Sequence, residues 1–159
     1  MADRTFGHGG RVLRVDLTER RFEIEPLDPR WIRDVVGGRA ANTKRLSEDL
    51  DPAGDPLGPA NVLIFGVGPL TGTLLPASAY YTVTARSPLT GILGDSAAGG
   101  HFGPEMKLTG FDQIVITGCA DSLTYLLVTD DGVRFVPCPE FAGRDVVQTT
   151  AAIREAHGD

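Results

Sequence analysis

Two glycine-rich segments carry most of the chemical potential in this sequence. The first, Gly66–Thr73 (GVGPLTGT), directly follows a short apolar run. A glycine-rich turn at a strand end can present backbone N–H groups to an anion. It is not a P-loop, because no Gly-Lys-Ser/Thr follows. It is not a dinucleotide fingerprint either, since counting GxGxxG from Gly66 and Gly68 puts Thr71 where the third glycine belongs. On spacing alone the segment reads as a structural turn more readily than as a ligand site. The second segment, Asp95–Gly103 (DSAAGGHFG), is a run of small residues ahead of an expected helix start. Small side chains let a bulky ligand approach the backbone, and helix-start N–H groups favour phosphate. Close packing through Gly99 and Gly100 explains the same residues equally well.

The remaining candidates are single residues. His101 stands beside Phe102 with no Ser, Asp or Cys partner that would make a triad. Arg39 follows the Gly37-Gly38 pair, and arginine suits phosphate or carboxylate recognition. An ordinary surface arginine accounts for it as well, and the same holds for Arg86 and Lys107. No HExxH, EF-hand or other metal-ligand cluster is present in the sequence. Cys119 and Cys138 lie 19 positions apart with no CxxC pairing. Structural zinc and iron–sulfur sites usually take four ligands in close pairs, so two separate reduced thiols are expected.

Short elements must position these residues. The chain's 20 glycines and 11 prolines are scattered between brief apolar runs, a pattern of short strands joined by turns. Arg11–Leu17 alternates like a half-buried strand, with Phe22–Glu25 returning as a hairpin. Asp28-Pro29 reads as an N-cap and first helical residue, opening a helix that stops at Gly37-Gly38. A second helix is expected over Ala40–Leu50. Strands are expected at Val62–Phe65, Tyr80–Ala85 and Gln113–Thr117, and a short helix within Gly99–Leu108. Leu123–Thr129 and Val133–Val136 flank Asp130-Asp131-Gly132, a hairpin signal, and Asp145–Glu155 reads as helix. PLTG occurs twice, in Gly68–Thr73 and Ser87–Gly91, as two similar turns rather than a repeat. Strands and helices without strict alternation predict an α+β fold with mixed or antiparallel sheets and short interspersed helices.

Length and composition set the outer limits. The 159 residues fit one domain, and 42% hydrophobic with 23% charged residues is an ordinary globular mixture. A net charge of −6 argues against a nucleic-acid partner. No apolar run approaches the roughly 20 residues of a membrane helix, and the N-terminus lacks the apolar core of a signal peptide. The expected compartment is the cytoplasm. Read from its residues alone, the chain is an α+β domain with glycine-rich loops suited to an anionic ligand.

The ordered segments resemble the N-terminal domain of the tungsten- or molybdenum-pterin aldehyde:ferredoxin oxidoreductase family. The matching pieces are Gly9–Thr18 (GGRVLRVDLT), Val35–Asn42 (VVGGRAAN), Asp55–Thr73, Thr84–Gly91 (TARSPLTG), Gly99–Ala120 (GGHFGPEMKLTGFDQIVITGCA) and the DGVRF hairpin. GPLTGT, then SPLTG, then GG-x-FG-x-E-x-K-x-x-G-[YF]-D is the specific part, with His101 in the variable position after GG.

The resemblance implies a β-sheet base cradling a tungsten- or molybdenum-bis-pterin cofactor, with magnesium bridging the pterin phosphates. It also implies aldehyde oxidation to carboxylic acids, a nearby [4Fe-4S] cluster and ferredoxin as electron acceptor. The cluster ligands and the acid/base residues belong to later regions, so no catalytic residue is expected in this chain. Expected cofactor-facing positions are Gly68, Leu70, Thr71, Gly72, Gly99, Gly100 and Lys107. Two positions depart from the family pattern. Tyr80 stands where an arginine usually contacts the pterin. Ala97-Ala98 replace Asn-Ser, with Ala97 in the position associated with magnesium. Either other groups such as Asp95 substitute, or the cofactor is held differently or not at all. The family's first domain continues past this length, so the resemblance implies a fragment or split subunit working with the rest of the enzyme, and it admits a homodimer. The rival readings are a non-catalytic module, a structural subunit, and a relative of tungsten-dependent benzoyl-coenzyme A reductase.

Overall fold

A computed structural model describes residues 6–158. The chain forms two compact units divided between Cys119 and Ala120. The first is built on a six-stranded sheet in the order β2-β1-β6-β3-β4-β5. Its strands are β1 (Arg11–Asp16), β2 (Arg21–Pro26), β3 (Leu63–Val67), β4 (Tyr81–Arg86), β5 (Leu93–Ala98) and β6 (Phe111–Thr117). β1 and β6 run parallel, and every other neighbouring pair is antiparallel. The mixed sheet and interspersed helices are the α+β architecture expected from the sequence.

Helices cover the sheet on both sides. α1 (Pro29–Val35) starts as expected: Asp28 accepts from Arg30 N, and Pro29 takes the first helical position. α2 (Gly38–Asp49) follows after the break at Val36-Gly37. Trp31, Ile32 and Leu50 pack against a buried cluster of Val12, Leu27, Leu46, Val62, Ile64 and Val115. Alternate residues of a strand point to opposite faces. Ile64 and Val115 therefore look toward α1 and α2, while their neighbours Phe65 and Ile114 look the other way. There α3 (Phe102–Leu108) sets Phe102 against Phe65 and Tyr81, with ring centroids 5.7 and 4.7 Å apart.

The small residues Asp95–Ala98 ahead of the helix form the last four residues of β5, an edge strand. The sequence LGDSAA has little strand propensity of its own. Six register pairs with β4, from Arg86↔Leu93 to Tyr81↔Ala98, impose the extended form.

A β-bulge matters for the site. Arg11 pairs with Phe111 while Val12 pairs with Gln113, which leaves Asp112 as the extra residue of β6. Bulges re-aim the side chains around them.

The second unit holds the hairpin of β7 (Thr124–Thr129) and β8 (Gly132–Pro137), a 3₁₀ turn at Pro139–Phe141, and α4 (Val146–His157). Asp145 and Gln148 form a capping box at the start of α4. Tyr125 stacks on Phe141 at 6.1 Å, and its hydroxyl lies 2.7 Å from His157 Nε2.

Candidate functional site: a glycine-lined surface over a buried polar network

The two glycine-rich segments, 31 residues apart between Gly68 and Gly99, meet in the fold. β3 delivers the chain into the Gly68–Tyr80 turn, which is held by its own hydrogen bonds. Thr71 is buried; its hydroxyl accepts from Gly68 N at 3.1 Å and donates to Tyr80 O at 3.0 Å. Gly72 N donates to Ser78 O, and the Thr73 hydroxyl donates to Leu70 O. The Thr71 side chain thus builds the turn rather than facing outward. Leu70, Gly72 and Tyr80 are exposed.

The second segment closes on this turn. A Cβ on Gly103 would lie 3.1 Å from Ala79 O, and one on Gly99 would lie 4.0 Å from the Tyr80 ring. Gly72 faces Pro104 and the Lys107 stem at 3.6 and 4.0 Å. Gly72 and Gly100 adopt φ of +79° and +102°, where side chains other than hydrogen are strained. Ala97, Ala98, Gly99 and Gly100 are all exposed, and around Gly100 there is open space. The same two segments also expose Leu70, Tyr80 and Phe102.

Asp95 does not join that surface. Its carboxylate lies 2.5 Å from Arg39 Nε and accepts from the Thr84 hydroxyl at 3.1 Å, on the side of the sheet that carries α2. The register places Ala97 on the same side as Asp95 and Ala98 on the opposite one. Arg39 and Arg86 are accounted for structurally. Arg39 pairs with Asp95, and Arg86 donates to Gly91 O, Pro52 O and Gly54 O, strapping a loop to the β4–β5 turn. His101 is exposed and precedes α3 without capping it through its side chain. Cys119 is exposed, Cys138 is buried, and neither forms a disulfide.

Lys107 ends in a buried charge cluster. Its ammonium bonds to Asp112, which also accepts from Gly9 N at 3.1 Å and Gly10 N at 2.7 Å. His8 Nδ1 approaches the same carboxylate at 3.5 Å. Burial pushes the His8 pKa below its usual value; Asp112 opposes that shift and Lys107 adds to it.

A second buried network lies under α2. Asn42, fully buried on α2, donates to Ile64 O, Thr82 O and the hydroxyls of Thr82 and Thr84. Gln113 Nε2 donates to Asn42 Oδ1 at 3.0 Å. Gly66 passes so close that a Cβ there would overlap the Asn42 amide. Sequence reasoning missed His8, Asn42, Asp112 and Gln113 as a group. The one usable signal was an acid-amide pair, Asp112-Gln113, opening an otherwise apolar strand.

The described residues include no group of three or more His, Cys, Asp or Glu side chains able to hold a metal ion. Nor is any helix among them long and apolar enough to cross a membrane. The fold and the exposed glycines define an α+β domain with a backbone-lined surface. Comparison with known proteins gives that class a family. Residues 12–159 match the family model described as aldehyde ferredoxin oxidoreductase, N-terminal domain, and the chain belongs to that family.

The chain is 38% identical over 154 residues to a protein of Pyrococcus abyssi named tungsten-containing aldehyde ferredoxin oxidoreductase, covering 97% of this chain and 25% of that one. It is 30% identical to a Pyrococcus furiosus protein named aliphatic sulfonate oxidoreductase, WOR-like subunit, covering 96% and 25% of the two chains. Among solved structures it matches the active-site complex BamBC of benzoyl coenzyme A reductase with 1,5-dienoyl-CoA. That match has a TM-score of 0.92 and 32% identity, over 95% of this chain and 23% of the other. The chain therefore spans about a quarter of the length of these relatives.

Proposed function

We propose that this chain is the cofactor-cradling part of a tungsten- or molybdenum-pterin oxidoreductase that oxidises aldehydes, or another oxo group, to carboxylates and passes the electrons to ferredoxin. The observation that carries the reading is the match to the family along residues 12–159, in a chain whose exposed Gly99 lies against the Tyr80 end of the Gly68–Tyr80 turn while Gly72 lies against α3.

The surface suits a large planar pterin. Its glycines let a ring system approach the backbone, and Leu70 and Phe102 add apolar rim. Tyr80 offers a neutral hydroxyl where the family pattern has a cation, so it can orient a polar ligand atom without neutralising its charge. Lys107 contributes its stem beside Gly72, while its charge is committed to Asp112.

Magnesium does not fit the side chains present. Ala97 and Ala98 carry no oxygen ligand, and Asp95 is engaged by Arg39 and Thr84. At Ala97 and Ala98 themselves only the backbone carbonyls could serve as ligands. The bound metal–pterin would supply the two-electron chemistry. This chain's own share is to bind it, fix its orientation and exclude water beneath it. The acid/base residues and the ligands of a [4Fe-4S] cluster would come from the rest of the enzyme, in the same chain or a partner subunit. A homodimer and a cytoplasmic location fit the same reading.

A second reading has its own support. The match to the benzoyl coenzyme A reductase complex favours reduction of an acyl thioester on the same platform. The neutral Tyr80 and Ala97-Ala98 favour a third, a module that holds the pterin without catalysis or has lost it.

Metal content decides first. The natural protein containing this chain, purified without oxygen, is expected to carry about one tungsten or molybdenum and several irons per molecule. A folded, intact protein with neither tungsten nor molybdenum would overturn the oxidoreductase reading in favour of the non-catalytic module. With metal present, turnover of aldehydes against aromatic acyl thioesters separates the first two readings.

A further inference from the structure

The two buried polar clusters stop short of each other by one missing link. Asn42 fixes the first end. Its amide nitrogen faces Ile64 O, Thr82 O and the hydroxyls of Thr82 and Thr84, at 3.1–3.3 Å. Backbone carbonyls only accept, so the Asn42 NH₂ must point there and Oδ1 must point to Gln113. Gln113 Nε2 then has to donate to Asn42 Oδ1, which it does at 3.0 Å. The other half of the Gln113 amide, Oε1, is thereby turned away from Asn42, and it is buried with no hydrogen-bond partner in the protein.

The second end is His8. Nδ1 is buried and has no hydrogen-bond partner in the protein. The nearest candidate, Asp112 Oδ1, is 3.5 Å away, beyond good hydrogen-bond distance, and its carboxylate already takes Gly9 N, Gly10 N and the Lys107 ammonium. Buried polar groups without partners are rare in native proteins, and ordered water is the usual reason they are tolerated.

His8 and Gln113 both line one cavity under the start of the Gly68–Tyr80 turn. Its walls include Trp31, Val36, Gly37 and Val67, and its volume is about 10 Å³. One water needs roughly that much room and two or more polar partners. An apolar occupant would leave both atoms unsatisfied. We propose that a single water molecule is bound in this cavity, hydrogen-bonded to Gln113 Oε1 and His8 Nδ1, and that it joins the Asn42 network to the Asp112 cluster. The water donates one proton to Gln113 Oε1. With the other it bonds a bare Nδ1, or its oxygen accepts from a protonated one. A neutral ring allows either arrangement, according to which nitrogen carries its proton.

The bridge ties the N-terminal loop to the strand bulge and to α2, directly behind the turn that presents Gly72. It needs no cofactor, so it stands or falls apart from the proposed function. A crystal structure of the whole protein at about 1.5 Å resolution tests it. One well-ordered water peak should lie within about 3.2 Å of both Gln113 Oε1 and His8 Nδ1. A dry cavity, or Nδ1 drawn to within about 3.0 Å of a protein acceptor, would overturn the proposal. In solution, ¹⁷O relaxation dispersion should show one fewer long-lived water in His8→Phe than in the unaltered protein. An unchanged count in the folded variant would overturn it equally. If that variant does not fold, the density in the unaltered protein decides alone.

Discussion

At the residue scale, Asp112 is the hub of a buried cluster. A bulge in β6 leaves it unpaired in the ladder and free to gather Gly9 N, Gly10 N and Lys107. Replacing it strands a buried ammonium and two backbone donors. Breaking a buried pair by removing one partner costs roughly 3–5 kcal/mol. Asp112→Ala should therefore lower the chemical-denaturation midpoint of the whole protein by the equivalent of about 3 kcal/mol. Asp112→Asn keeps an acceptor and should lose less. Equal midpoints for Asp112→Ala and the unaltered protein would show that the cluster contributes nothing.

His8 gives the cluster a pH dependence whose sign can be worked out. Burial lowers its folded pKa below the usual 6.5; Asp112 resists and Lys107 assists. The unfolded chain thus takes up a proton before the folded one does as pH falls. The contribution is complete above about pH 6.5 and is lost as pH drops through the folded value. Denaturation midpoints measured from pH 8 down to about pH 5 should fall more steeply than in His8→Gln. Parallel curves would exclude His8 as the source. None of this was legible beforehand. His8 and Asp112 are 104 positions apart, and the bulge that joins them has no signature in composition or period.

At the scale of elements, most of the local reading held, and its failures were long-range. The Asp28-Pro29 start, the β1–β2 hairpin and the helix after Asp145 all rest on local chemistry that does not need the rest of the fold. The hairpin of the second unit was placed correctly, though its loop is Asp130-Asp131, with Gly132 already in β8 at φ +138°. β5 was invisible because its pairing with β4 supplies what LGDSAA lacks. Gly66 and Asn42 show the same non-local logic. They are 24 positions apart, yet the missing Cβ of one makes room for the amide of the other. Gly66→Ala should cost about 1–3 kcal/mol, the usual range for overpacking. Asn42→Ala removes both the obstacle and the network's hub. The double variant should therefore be less destabilised than the sum of the singles by at least about 0.5 kcal/mol. Strict additivity in denaturant titrations would mean that Gly66 is there for another reason.

At the scale of the whole molecule, the candidate surface was half legible. The sequence singled out both glycine-rich segments, but not that β3, β4 and α3 would bring them side by side. It also grouped Asp95 and Lys107 with them, whereas the fold commits Asp95 to Arg39 and Lys107 to Asp112. What faces outward is backbone, and that yields a test separating cofactor approach from simple strain. Gly72, Gly91 and Gly100 all have positive φ, so each pays a similar strain for a side chain. Gly91, however, sits in the β4–β5 turn, at the far end of a six-residue strand from Ala98. At the usual rise per residue that is roughly 17–20 Å from the proposed surface. Gly100→Val and Gly72→Val in the whole enzyme should lower tungsten or molybdenum per folded molecule at least about tenfold. A tenfold loss of affinity needs only about 1.4 kcal/mol, less than one blocked contact face of a planar ligand can remove. Gly91→Val should leave metal content unchanged while costing similar stability. The readout is metal per mole of protein that passes a folding check by circular dichroism. If all three variants lose metal alike, strain explains the loss and the surface is not where the pterin lies. If Gly100→Val and Gly72→Val keep full metal, the glycines serve packing alone.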